Sequence, residues 1–231
     1  MTTGIIGAMD EEIRILKEKM NNVQTTTITG CDFHQGKLNT KKVILTKSGI
    51  GKVAAAVATT LLLEKFKPDV IINTGSAGGY DTSLNIGDVV ISNEVRFHDV
   101  DVTAFGYEFG QMAELPAAFY ADKKLIDIAQ TAAQSFTSLK TTLGLICTGD
   151  IFMVDPEKVE VARKNFPTMM ACEMEAAAVA QVCYQFGTPF VIIRSLSDIA
   201  GKKSDVSFEQ YLPVAAKNAA ELVESIVSKL D

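Results

Sequence analysis

Residues 69–75, Asp-Val-Ile-Ile-Asn-Thr-Gly, are mostly apolar and show no alternation. A strand with one wet face alternates apolar and polar residues, whereas a strand covered on both faces reads as a continuous apolar run. This stretch therefore calls for a sheet with helices packed on both sides. Further strands are expected at 3–8, around 25–29, 33–38 and 42–47, and at 88–98, 141–148 and 190–198. Helical patterns fall between them. One begins near residue 10, with Ile13, Leu16 and Met20 on one face, and others cover 52–66, 122–135 and 156–164. A further helix is expected to carry Glu173 and Glu175, and a last one runs to about 229, opened by Ser207 and Gln210 as a capping box. This alternation predicts an α/β fold of three layers, αβα, around a central mixed sheet. Residues 200–206 are polar and read as mobile. With 231 residues, 47% of them hydrophobic, and no linker-like stretch, the chain is expected to form a single domain over 1–231.

Composition excludes several classes of function. The net charge is −6 and no basic cluster is present, which argues against nucleic acid as a partner. No apolar run reaches the ~18–20 residues that span a bilayer, so no membrane partner is expected. No signal peptide is expected, because the apolar stretch at residues 3–8 is too short and uncharged for one. Cys31, Cys147, Cys172 and Cys183 form no C-x-x-C pair, and His34 and His98 are the only histidines. Reduced core thiols are expected rather than a zinc site or a disulfide framework, and the cytoplasm is the expected location. No metal or cofactor is expected.

The candidate site begins with Ala171-Cys-Glu173-Met174-Glu175-Ala-Ala-Ala-Val-Ala180, two carboxylates in a run of small apolar residues. Burying a carboxylate costs several kcal/mol unless it is paired or hydrogen-bonded. The stretch reads as a wall that holds a ligand's hydroxyl groups, or as a helix start stabilised by acids. Gly75-Ser76-Ala77-Gly78-Gly79 closes the 69–75 strand, where open α/β sheets bind ligands. It is not G-x-G-x-x-G, so a dinucleotide is not implied, and a plain turn is the alternative. Asp10, Glu11 and Glu12 complement a helix N-terminus, but three acids there would repel an anion. Strand periodicity places Arg194, Leu196 and Asp198 on one face, as site residues or with Arg194 in a structural ion pair. Phe152, just after a strand, could stack on a flat ring or fill the core. The 99–120 connection, with Phe105, Tyr107, Phe109, Phe119 and Tyr120, has the length and aromatic content of a functional loop or an interface.

Several carboxylates without a metal suit cleavage of a glycosidic bond, which breaks through an oxocarbenium-like sugar. One acid protonates the leaving group and another activates water. A purine leaves well only when a ring nitrogen is protonated.

Gly4–Glu12, Lys47–Val53, Asn73–Gly79, Asp101–Tyr107, Glu173-Met-Glu175 and Arg194–Asp198 together resemble the bacterial 5′-methylthioadenosine/S-adenosylhomocysteine nucleosidases, nearly end to end. The resemblance implies the nucleoside phosphorylase fold, a cofactor-free homodimer, and hydrolysis of methylthioadenosine, S-adenosylhomocysteine and 5′-deoxyadenosine to adenine and the sugar. It implies Glu12 as general base for water, helped by Ser76 and Arg194, with Ala77 and Gly78 beside the substrate. Glu175 would bind ribose hydroxyls, with Met174 against the sugar. Asp198, oriented by Ser197, would protonate purine N7. Phe152 would stack on adenine and the Met153 backbone would read its Watson–Crick edge. Ile50 and Phe208 would line the 5′-alkylthio pocket, joined by Val102 and Phe105 of a second subunit. Two rivals remain on the sequence: a purine nucleoside phosphorylase, which attacks with phosphate, and a non-catalytic nucleoside-binding protein. Phosphate clamps favour arginine, and this chain has only Arg14, Arg96, Arg163 and Arg194. A binding protein needs no acid pair such as Glu12 and Asp198.

Overall fold

The computed structural model describes residues 1–137, 139–200 and 204–231, with side chains from 208 onward in the last stretch. Three parallel strands, β1 (Thr2–Gly7), β5 (Val70–Gly79) and β10 (Phe190–Ile199), lie side by side and are buried almost throughout. Beyond β1 the sheet continues with β4 (Lys41–Lys47), parallel to it, then β3 (Cys31–Leu38) and β2 (Met20–Ile28), both antiparallel to their neighbours. Beyond β5 the sheet curls. There β9 (Met169–Glu173) pairs with β5 and β8 (Thr141–Thr148), β8 pairs with β6 (Val89–Phe97), and β6 pairs back onto β10. Strands β5, β9, β8, β6 and β10 thus close a ring at one end of the mixed sheet. The two-residue β7 (Phe119–Tyr120) adds to β6.

Helices cover both faces, as the 69–75 run requires. On one side α2 (Lys52–Phe66) and α5 (Ala176–Phe186) bring Leu62 and Val179 against Ile6, Ile71 and Ile192. On the other, α1 (Asp10–Lys19), α3 (Lys123–Ala133) and α6 (Ser204–Lys229) bring Leu16, Ala129 and Val223 against Ile5, Ile72 and Ile193. Successive strand residues point to opposite faces, so each Ile-Ile pair feeds both layers. A smaller cluster packs Val159 and Ala162 of α4 (Pro156–Asn165) against Tyr80 and Cys147. None of the helices is long and apolar enough to cross a membrane, among the described residues.

Three local expectations are corrected. The stretch from Ala171 is not helical at its start: β9 runs through Glu173 and α5 begins only at Ala176. Ala171 and Cys172 pair with Gly79 and Gly78 on one side and with Ile146 and Cys147 on the other. Ring closure overrides the helical propensity of Ala171, while the alanines from Ala176 onward stay helical. The last helix begins at Ser204, so Ser207 lies within it rather than capping it. Helix α1 ends at Lys19, and Met20 opens β2 while still reaching the same core. Of the stretch 200–206 read as mobile, residues 201–203 lie outside those described and 204–206 belong to α6.

Candidate active site

The carboxyl ends of β1, β5 and β10 meet at one edge of the sheet, where a cavity of about 200 Å³ opens. Glu12, Ser76, Ala77, Gly78, Met174, Glu175, Ser197 and Asp198 line its inner part. Ile50, Phe152, Met153 and Phe208 line it as well. Arg194, Val102 and Phe105 are not in its wall.

Glu12 projects from the first turn of α1 back toward β1. One carboxylate oxygen accepts from the Ala8 and Met9 N–H groups at 2.7 and 3.1 Å. The other accepts from Ser76 N–H at 2.9 Å and Ser76 Oγ at 3.0 Å. The group is 4% exposed. Four donors hold it in one geometry, so its place at a helix start and its place in the cavity are the same fact. Gly75 makes this possible, because a Cβ there would sit 2.6 Å from Glu12 Oε1.

Glu173 and Glu175 leave β9 in different directions. Glu173 accepts from Thr148 Oγ1, from the Glu175 N–H at 3.0 Å and from the Ala176 N–H at 2.8 Å. It thereby occupies the positive end of α5. It also pairs with Arg194, which is 1% exposed and donates in addition to Asn73 Oδ1 at 2.8 Å. Arg194 therefore stands behind the wall, in the structural ion pair that was its alternative reading. Its nearest approach to Glu175 is 3.8 Å. Glu175 takes the Gly51 N–H at 2.9 Å. Burial, and next the Glu173 carboxylate, push Glu175 up to about 8 against the pull of Arg194 and the Gly51 N–H.

At the end of β10 the strict alternation fails. Leu196 pairs with Ala77 but Asp198 pairs with Gly78, so Ser197 is an extra residue, a β-bulge. Leu196 goes into the core, whereas Ser197 and Asp198 both line the cavity. Asp198 is 3% exposed and lies 2.9 Å from Ser197 Oγ. The bulge is what turns the carboxylate into the cavity: Arg194 and Leu196 stay in register with Gly75 and Ala77 as periodicity places them, and Asp198 leaves their face.

The outer part is apolar and open. Phe152 meets Phe208 edge-on, with centroids 5.5 Å apart, and Ile50 is 58% exposed. Met153, by contrast, is buried. Among the described residues the wall holds four carboxylates, those of Glu12, Glu173, Glu175 and Asp198, and no lysine, arginine or histidine. Sequence reasoning offered Glu173 a place in a ligand wall or at a helix start, and its contacts with the Ala176 N–H and Arg194 put it at the helix start, while it also lines the cavity. Sequence reasoning missed the Ala8 and Met9 N–H groups, for which no side-chain signal exists.

A family model described as the Phosphorylase superfamily matches residues 2–228. The 5′-methylthioadenosine/S-adenosylhomocysteine nucleosidase of Psychromonas ingrahamii is 75% identical over 231 residues, covering 100% of both chains. This chain belongs to the methylthioadenosine/adenosylhomocysteine nucleosidase family. Solved members of the family superimpose closely. The nucleosidase from Colwellia psychrerythraea, in complex with adenine, is 53% identical with a TM-score of 0.98, over 100% of this chain and 96% of its own. That from Neisseria meningitidis, in complex with methylthio-immucillin-A, is 49% identical with a TM-score of 0.98, over 99% of each chain. The nucleoside phosphorylase-like fold expected from the sequence is therefore the one observed.

Proposed function

We propose that the chain is a hydrolase that cleaves the N-glycosidic bond of 5′-methylthioadenosine and S-adenosylhomocysteine, and also of 5′-deoxyadenosine, releasing adenine and the sugar. The observation that carries it is a cavity walled by four carboxylates with no cationic side chain among the described residues. A wall with no cationic side chain offers phosphate no clamp, and the Glu12 base beside the sugar suits attack by water on an oxocarbenium-like centre.

The roles follow from position. Glu12, fixed by four donors, accepts a proton from water as the oxygen attacks C1′. Ser76 holds that carboxylate and lies beside the same water. The C1′–N9 bond breaks, its electron pair passes to the purine, and Asp198 delivers a proton to N7. Ser197 orients Asp198. Glu175 receives the ribose hydroxyls, with Met174 against the sugar. Arg194 acts from behind, balancing Glu173 and Glu175. The base slides over Ala77 and Gly78, Phe152 stacks on it, and the Met153 backbone reads its edge. Ile50 and Phe208 take the 5′ substituent.

The working unit is a homodimer. Phe105 is 82% exposed and neither it nor Val102 reaches the cavity of its own chain, which supports their insertion into the site of a second copy. The chain acts as one nucleosidase domain over residues 1–231. Four unpaired thiols support a reducing location, the cytoplasm. The chemistry belongs to disposal of methyl-transfer by-products and to methionine salvage. Adenine release measured with and without phosphate tests the reading. Release independent of phosphate supports it, and release that stops without phosphate overturns it.

A further inference from the structure

Lys52 sits one residue into α2, outside the cavity, at a point where three separate segments converge. Its Nζ donates to Asp99 Oδ2 at 2.6 Å and lies 3.9 Å from Asp150 Oδ2. Its backbone N–H donates to Asp150 Oδ1 at 2.8 Å. Asp99 Oδ2 takes the Asp150 N–H as well, at 2.9 Å. The ammonium also lies over the Phe97 ring, 5.5 Å from its centroid. Lys52 and Asp99 are mostly buried, at 24% and 13% side-chain exposure, so this pair is less screened than a surface ion pair.

Each arm of this cluster leads to a different part of the proposed substrate. Asp150 opens the loop that carries Phe152 and Met153, which face the base. Gly51, the residue before Lys52, gives its N–H to Glu175, the ribose acid. That N–H is aimed by a backbone with φ +93°, which favours glycine. Asp99 heads the connection to Val102 and Phe105, the residues offered to a second copy.

We infer that the Lys52–Asp99–Asp150 cluster is a positioning device for the proposed reaction: it sets the base-stacking loop against the ribose end of the cavity. The inference rests on the nucleosidase reading of the cavity. Lys52 touches neither wall nor reacting atoms and acts through Asp150 and Gly51. Glu12 and Asp198 are held by other elements, β1, β5 and β10, so the device governs how tightly the purine is gripped rather than the bond-breaking step.

The test compares wild type with Lys52→Met, Lys52→Arg and Asp99→Asn. Adenine alone is titrated by calorimetry, and kcat and KM are measured with methylthioadenosine. Lys52→Met is expected to weaken adenine binding and raise KM by about tenfold each, with kcat within about threefold of wild type, and Lys52→Arg is expected to recover most of both. Asp99→Asn keeps the shape, should show the same split, and decides the matter if Lys52→Met does not fold. Unchanged adenine affinity in the variant that is read overturns the inference. So does a fall in kcat as large as the rise in KM, which marks a general structural role. A wild type that releases no adenine would instead overturn the nucleosidase reading, so the two failures are distinguishable.

Discussion

The two ends of the cavity are built on opposite principles. At the inner end Glu12 and Asp198 are 4% and 3% exposed, and main-chain groups and short hydroxyl contacts define their geometry. At the outer end Phe152 and Ile50 are 42% and 58% exposed, held by one ring contact and by loop backbone. The inner end is a finished piece of scaffold, made where three parallel strands stop. The outer end is left open, and on the proposed reading a substrate and a second copy cover it. Rigid strand ends suit proton transfer, which depends on sub-ångström placement, while an open apolar mouth suits 5′ substituents of different length.

The sharpest break of this contrast comes from the inner end. Glu12→Gln keeps shape and accepts no proton, so turnover should fall at least about 10²–10⁴-fold while substrate binding survives. Equilibrium binding beside single-turnover rates checks it, and near-normal turnover would return Glu12 to a helix-start role alone.

Next in size is the charge balance behind the wall. Arg194→Met leaves Glu173 and Glu175 without their cation, and loss of one partner from a buried pair costs about 3–5 kcal/mol. Urea unfolding should show that loss. A change within about 0.5 kcal/mol, typical of a surface position, would mean that the pair is not buried as described.

The outer end should respond more mildly. Phe105→Ala removes an aromatic that would be buried only in the dimer, so KM for methylthioadenosine should rise roughly tenfold, consistent with part of the ~1.5–3 kcal/mol for burying such a side chain. A variant with unchanged KM, or a wild type that is monomeric and fully active by sedimentation, would remove the second copy from the outer end.

A further test of the inner end is in pH. The folded-state value of Glu175 is raised from 4.5 to about 8, so between these values the folded protein keeps a proton that the unfolded chain has released. Glu175 therefore makes stability decline as pH rises through that window, and the decline levels off above it. Glu175→Gln should flatten that part of a Tm-versus-pH curve for the ligand-free protein, and an unchanged slope would show that Glu175 is not the group responsible.

Sequence was most informative where one physical demand dominated. The double-faced apolar run at β5 announced a covered sheet, and the helix expected over 52–66 is observed there. Site residues at strand ends were legible because buried carboxylates are expensive and need a reason. What stayed hidden depends on long-range pairing. Ring closure turns Ala171–Glu173 into a strand, although the alanine-rich run that follows is helical. The bulge at Ser197 rotates Asp198 off the alternation that placed it with Leu196. The partnership of Glu173 with Arg194 joins residues 21 apart in sequence, and Lys52 with Asp99 joins residues 47 apart. Neither has a local pattern to read.

The most direct test asks whether the two buried acids serve opposite ends of one bond. Asp198→Asn still offers N7 a hydrogen bond but no proton. Cleavage of methylthioadenosine is compared with cleavage of the matching 4-nitrophenyl riboside, whose leaving group departs as an anion, in wild type and variant. The adenine substrate should lose at least about 10²-fold and the nitrophenyl substrate far less. Equal losses on both substrates would show that Asp198 only positions the ring, and would contradict its role as the acid.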